Sequence, residues 1–308
     1  MNPEMYIVPL HWLGELCAAA AIFGIIHLAV ASILILRFRS KRRRPIAHHP
    51  SPVSILVPLC GEDTGLYERL AALCRQDYAA PIQLICGVQA ADDPAIAIVK
   101  AVAGDFPGRA IDLQIDAKQH GGNRKISNLI NMSRLARHNL FVIVDSDILV
   151  GPTYLSDVAG ALRTSGAGAV SCLYHGISGA GSWSALSSLS INTHFLPGVV
   201  TALAFRMAQP CFGATIALSR SMLATIGGLQ AFADCLHDDY AIGAGVHAAG
   251  YDVVVPNFSI GHVCREHTAR ELLLNQMRYA RTIKMIDPVG YAGSVVTHPA
   301  ALALIALL

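Results

Sequence analysis

At 308 residues the chain has room for one large domain or two small ones. Apolar residues make up 53% and charged residues 14%, a balance that excludes an ordinary soluble enzyme and points to membrane segments. A formal net charge of +2 is too small to argue for a nucleic-acid partner. The eight cysteines form no Cys-x-x-Cys pair and sit mostly among apolar neighbours, as reduced core residues do.

From Trp12 to Leu36 there is no Lys or Arg and a single acid, Glu15. That is the length a bilayer-spanning helix needs, and it lacks the basic start and short apolar core of a cleaved signal peptide. The cluster Arg37-Phe38-Arg39-Ser40-Lys41-Arg42-Arg43-Arg44 follows. The positive-inside bias places it in the cytoplasm, and the cluster can also grip anionic lipid heads. Residues 37–52 read as a basic linker.

A cytoplasmic α/β domain is expected over 53–268. Val53 to Leu59 reads as its first strand, ending before Gly61-Glu62-Asp63. Thr64 to Gln76 places Leu66, Leu70 and Leu73 at helical spacing. Ile82 to Val88 is a second strand, before Ala91-Asp92-Asp93-Pro94, where Asp93 has the look of a helix N-cap. Ile111 to Ile115 is a third strand. A polar insert, Gln119 to Lys125, leads into a helix over Ile126 to Leu135. Leu140 to Val144 is then an apolar, β-branched run, the pattern of a buried central strand. This order predicts a parallel sheet covered on both faces.

That fourth strand ends in Asp145-Ser146-Asp147. Ligands of open α/β sheets bind beyond the carboxyl ends of the strands. Two carboxylates there call for a cation, and a hard divalent ion shared with phosphate oxygens is the natural one. A solvated turn is the plainer alternative. Further on, Pro152 to Leu162 reads as helix, and Ala169 to Tyr174 and Phe212 to Leu218 as strands. The apolar stretch from Ser182 to Met207 carries no assignable pattern. Gly227-Gly228 precedes a second acidic pair, Asp238-Asp239. A helix to Ala249 and a strand from Asp252 to Val255 follow.

Residues 269–287 are amphipathic, with Arg278, Arg281 and Lys284 along one side, and fit a helix lying on the membrane as well as a plain surface helix. No charge occurs from Pro288 to Leu308. This last run is taken as a second span, just long enough, or as the severed start of a longer apolar tail. His262, Cys264 and His267 lack a fourth ligand at zinc spacing and are assigned ordinary polar or packing roles.

Three acidic sites and one basic insert on an α/β pattern are what a sugar nucleotide requires. Its diphosphate needs a metal and a cation, and the acceptor hydroxyl needs a general base. The chain resembles glycosyltransferase family 2 and its ceramide glucosyltransferase relatives, above all the bacterial hopanoid-biosynthesis glycosyltransferases. The resemblance is carried by Val53 to Leu59, Val88 to Ile96, Asn123 to Leu129, Asp145 to Ile148, Asp238-Asp239-Tyr240 and Asn275 to Tyr279.

The resemblance implies a GT-A-like, Rossmann-like mixed sheet and an inverting transfer from a UDP-sugar to a membrane lipid. Asp92 or Asp93 would contact the nucleotide, with Lys125 and Asn128 near it. Asp145 and Asp147 would hold Mg²⁺ or Mn²⁺ with the diphosphate, Asp239 would be the general base, and Arg278 would face the diphosphate. The acceptor would be a hopanoid first and a ceramide next, at the bacterial inner membrane. The last motif departs from the family, which has Gln or Arg where Asn275 stands and Trp where Tyr279 stands. Two other readings stay open: a haloacid-dehalogenase-type phosphatase with Asp145 as nucleophile, and a non-catalytic membrane scaffold.

Overall fold

Helix α1 (Glu4–Ser40) realises the first apolar run. Its segment Trp12–Phe38 has a mean hydropathy of 2.5, long and apolar enough to cross a membrane, and most of its side chains face outward. The computed structural model describes residues 4–40, 50–61, 64–207 and 211–307. Glu62, Asp63 and the predicted linker residues 41–49 lie outside the described residues. The chain forms two compact units, one of Lys41–Gly179 and Ala208–Cys264, the other of Met1–Ser40, Ala180–Met207 and Arg265–Leu308.

In the first unit the elements run β1 (Val53–Pro58), α2 (Leu66–Cys74), β2 (Ile82–Val88), α3 (Ala95–Asp105), β3 (Ala110–Ile115), α4 (Arg124–Ser133) and β4 (Leu140–Val144). Then come β5 (Ile148–Leu149), α5 (Tyr154–Ser165), β6 (Ala169–Ser171) and β7 (Leu173–Ser178). After the excursion to the other unit follow β8 (Thr215–Ser219), α8 (Arg220–Thr225), α9 (Asp238–Ala248), β9 (Val253–Val254) and β10 (Ser259–Cys264).

Seven strands make one sheet in the order β3-β2-β1-β4-β8-β6-β9. The β3-β2-β1-β4 half is parallel, as the strand-helix alternation predicts. Strand β8 runs antiparallel to both β4 and β6, so the sheet is mixed. The run Ala169 to Tyr174, expected as one strand, divides at Cys172. Its first half pairs with β8, and its second half joins a small sheet β5-β10-β7.

The apolar runs are buried on both faces because helices cover both. Ile55, Val57, Leu84 and Val142 pack on the side of α2, α3 and α5. Leu56, Ile85, Phe141 and Ile143 pack on the other side with Ile126, Leu129 and Met132 of α4 and Ile242 and Val246 of α9. Each such side chain, fully buried, contributes about 1.5–3 kcal/mol.

The second unit is helical. It adds α6 (Ser182–Ser190), a π turn (Ile191–Phe195), α7 (Leu196–Ala204), α10 (Ala269–Ile286), α11 (Pro288–Gly293) and α12 (Pro299–Ala306) to α1. The segment 182–207, without a readable pattern in sequence, is therefore helix broken by one wide turn. Pro288–Thr297 and Pro299–Ala306 together are apolar enough for a span, but they are bent by 65°. Gly24 of α1 lies so close to the Val296 carbonyl and the Pro299 ring that no side chain fits between.

Close approach also fixes α4 on the sheet. A Cβ on Gly87 would collide with the Met132 side chain and with Oδ1 of Asn128. Gly87→Ala should therefore cost about 1–3 kcal/mol. Thermal melting of the purified full chain should show a midpoint several degrees lower, and an unchanged midpoint would mean that α4 does not sit this close.

Candidate active site

Strands β2, β1 and β4 are parallel neighbours, so their carboxyl ends share one rim. Asp93 follows β2 there. Its Oδ2 accepts from the Gly61 N–H beyond β1 at 2.9 Å, and its Oδ1 accepts from the Ala95 N–H at 2.9 Å. One oxygen thus caps α3, which begins one residue later than Pro94, and the other ties two loops together. Asp92 beside it is exposed.

Asp145 leaves the end of β4. Its turn is pinned from below, where Nε of the buried Arg69 donates to the Ser146 carbonyl at 2.6 Å. Asp147 enters the small sheet, its carbonyl accepting from the Val263 N–H at 2.9 Å. Oδ1 of Asp147 lies 3.5 Å from Nδ1 of His262.

Lys125 arrives from the polar insert. Asn123 caps α4, accepting from the Ile126 N–H at 3.1 Å. Its backbone N–H donates to the Ala233 carbonyl at 2.7 Å, and its amide donates to the Cys235 carbonyl at 2.7 Å. The Gly122 N–H donates to Asp234 Oδ1 at 2.7 Å. This docking brings the first turn of α4 to the first turn of α9, where Asp238 and Asp239 sit. Nζ of Lys125 then reaches Asp145 Oδ1 at 2.7 Å and Asp238 Oδ2 at 3.5 Å. The Lys125 and Asp145 side chains are 28% and 31% exposed, so a ligand can reach the pair.

Gly213 lies where these groups meet. Its N–H donates to Asp239 Oδ2 at 3.0 Å. A Cβ on it would stand 3.4 Å from Asp145 Oδ2, 3.4 Å from Asp239 Oδ2 and 3.6 Å from Lys125 Nζ. Residues 125, 145 and 239, distant in sequence, therefore converge on one glycine backbone.

The charges respond to one another. Burial alone would pull the Lys125 pKa down, but Asp145, then Asp238 and Asp239, more than reverse this and hold the ammonium above its ordinary value. Burial pushes the Asp145 carboxyl up and Lys125 opposes it, while Asp147 and Asp238 add repulsion, leaving it at about 6. Both partners of one ion pair are thus raised, Asp145 chiefly by burial and Lys125 by the several carboxylates around it. Burial also raises Asp239. The Tyr240 N–H, Lys125 and the Gly213 N–H pull the other way, and Asp238 adds to the rise.

Two further expected residues are found in these settings. Asn128 is 4% exposed beneath β2, with its amide donating to the Gly87 carbonyl at 2.8 Å. Arg278 belongs to α10 of the helical unit, its guanidinium 5.3 Å from the centre of the Tyr279 ring. Three residues go beyond the sequence reading. Asp238 shares Lys125, Gly213 forms the floor, and His262, assigned an ordinary role, stands beside Asp147. The one sequence trace of His262 is a histidine inside an otherwise apolar strand.

Hard carboxylate oxygens two residues apart suit Mg²⁺ or Mn²⁺, which take one or two carboxylates plus substrate phosphates. Among the described residues no group of three or more His, Cys, Asp or Glu is arranged around one point.

The mixed sheet has a GT-A-like architecture. A mannosyltransferase from Pyrobaculum calidifontis, in complex with GDP-Man and Mn²⁺, shares the fold at a TM-score of 0.60 and 18% identity, over 97% of this chain and 85% of that one. A structure of GalNAc-T7 with UDP, GalNAc and Mn²⁺ matches at a TM-score of 0.52 and 12% identity, over 72% of this chain and 45% of that one. The profile of glycosyl transferase family 21 matches residues 15–308, and the chain belongs to that family. It is similar to ceramide glucosyltransferase 1 of Caenorhabditis elegans, 25% identical over 152 residues, covering 48% of this chain and 31% of that protein. The chain thus matches under a third of that relative's length. Family membership replaces the phosphatase alternative and sharpens the family 2 resemblance on its ceramide glucosyltransferase side.

Removing the shared cation tests the charge arrangement. Lys125→Met should cost about 2 kcal/mol near neutral pH, at the low end for breaking a buried pair because the groups are partly exposed. With the ammonium gone, the facing carboxylates bind protons more readily folded than unfolded, so the deficit should shrink on acidification. Denaturant unfolding at about pH 7.5 and about pH 5.5 reads both, and a pH-independent deficit would contradict the geometry.

Proposed function

We propose that this protein is an inverting glycosyltransferase that moves a hexose or N-acetylhexosamine from a UDP-sugar to a hydroxyl of a membrane lipid. The observation that carries the reading is the convergence of Asp145, Asp239 and Lys125 around the Gly213 backbone. Asp239 is the general base. It is placed by the Gly213 and Tyr240 N–H groups and raised by burial, which makes a carboxylate a better proton acceptor. The acceptor hydroxyl gives its proton to Asp239 while its oxygen bonds to the anomeric carbon. The bond from that carbon to the diphosphate oxygen breaks, and UDP leaves from the opposite face.

Lys125 places one positive charge where the leaving group gains negative charge. Asp145 and Asp147 would hold Mg²⁺ or Mn²⁺, which supplies further charge neutralisation at the diphosphate. Asp93, held by two backbone N–H groups, is pre-organised to meet the nucleotide, with exposed Asp92 beside it. Arg278 is assigned to the diphosphate. Asn128 supports Lys125 indirectly by tying α4 to β2.

The GDP-Man, UDP and Mn²⁺ named for the two solved structures support a nucleotide sugar and a metal, and the ceramide glucosyltransferase relative supports a lipid acceptor. We assign the acceptor to a hopanoid first and a ceramide next. The catalytic domain is assigned to the cytoplasmic side of a bacterial inner membrane, anchored by α1.

Asp239→Asn should lower turnover by about 10²–10⁴-fold and leave UDP affinity within about twofold. Retained turnover would remove Asp239 as the base. In the wild type, kcat/KM should rise with pH as Asp239 ionises. Because burial raises this group, that limb should lie above the ordinary carboxylate value of about 4. An acid limb at or below it would contradict the assignment.

A further inference from the structure

Helix α6 of the helical unit is packed inside out. The side of α6 turned inward carries Ser184, Ser187 and Ser188, all buried, and the segment leading into α10 adds the buried carboxyl of Glu266, 8% exposed. The outward side of α6 carries Trp183, Leu186 and Leu189, and α10 exposes Leu273, Leu274 and Met277 beside the charged Arg270, Glu271, Arg278, Arg281 and Lys284. A helix in water buries its apolar side. This inversion suits a helix bathed in lipid, where a polar interior marks a functional path.

Within the seam, Glu266 Oε1 accepts two hydrogen bonds, from the Ser187 hydroxyl at 2.9 Å and from the Asn275 amide at 3.0 Å. Its other oxygen, Oε2, is buried and has no hydrogen-bond donor among the described residues. A buried carboxyl oxygen without a donor is costly, and it needs a partner from outside this cluster. Ser187 and Asn275 meanwhile fix the carboxyl's direction. Asn275 is the residue that departs from the family motif, and here its amide serves the carboxyl.

We propose that Glu266 binds the polar head of the lipid acceptor, Oε2 accepting a hydrogen bond from a lipid hydroxyl or amide N–H in the seam between α6 and α10. This rests on the transferase reading above. The lipid chains would lie against the exposed apolar residues of both helices.

The test uses the full chain in detergent, with a fluorescent ceramide and a fluorescent hydroxylated hopanoid as probes, and UDP affinity measured in parallel. Glu266→Gln keeps the side chain's size but turns an NH₂ or a weaker acceptor toward the donor. Loss of a hydrogen bond to a charged group predicts roughly a 10-fold or greater rise in the Kd of whichever lipid the wild type binds, with UDP affinity within about twofold. Ser187→Ala, which only loosens the carboxyl, should give roughly a threefold rise and serves as the test if Glu266→Gln does not fold. Unchanged lipid affinity in either folded variant, equal loss of lipid and UDP binding, or no binding of either lipid by the wild type would overturn the proposal. Wild-type lipid binding without any sugar transfer would instead sink the transferase reading alone.

Discussion

The site depends on one half-buried ammonium shared among carboxylates. Lys125 holds Asp145 and Asp238 together, and Asp239 stands across Gly213 from it. Without a cation these acids would repel each other at the rim of an apolar sheet, where their mutual screening by water is weak. The rest of the unit serves that meeting. The parallel strands deliver Asp93 and Asp145 to one edge, the capped insert delivers Lys125, and the turn into α9 delivers Asp238 and Asp239.

The same arrangement prepares the site for a diphosphate. An ammonium that turned toward an incoming anion would leave Asp145 and Asp238 short of positive charge, which a divalent ion arriving with the diphosphate would restore. Burial chiefly raises the Asp145 carboxyl, with repulsion from Asp147 and Asp238 adding to it, and a divalent ion there would favour its ionised form. Neutral packing around Asp93 adds rigidity rather than charge balance, since both its oxygens are already held by backbone N–H groups.

Much of this was readable in the residues. Ile82 to Val88 and Leu140 to Val144 are strands with the bounds expected, because a strand buried on both faces leaves an unbroken apolar run. The acidic pairs were visible because carboxylates after such strands are rare without a purpose. The turn of the sheet to a mixed order was less visible. The centre of strand β8, Ile216 to Leu218, is as apolar as the parallel strands β1, β2 and β4, and direction leaves no mark on composition. Strands of two or three residues, such as β5 and β6, are too short for any period to show. Helix α6 escaped because its buried side is serine and its exposed side largely apolar, the reverse of the pattern that sequence reading seeks. Gly213 and His262 act through position alone, and neither glycine in a strand-like run nor a single histidine signals a site.

The central claim is that the acidic rim binds a nucleotide diphosphate through a divalent ion. The most direct measurement is calorimetric titration of UDP into the full chain, with Mn²⁺ and with chelator, in the wild type and in Asp145→Ala. The account predicts UDP binding that requires Mn²⁺ and is lost when Asp145 is removed. Binding that survives chelator and the substitution, or no binding under any condition, would contradict it.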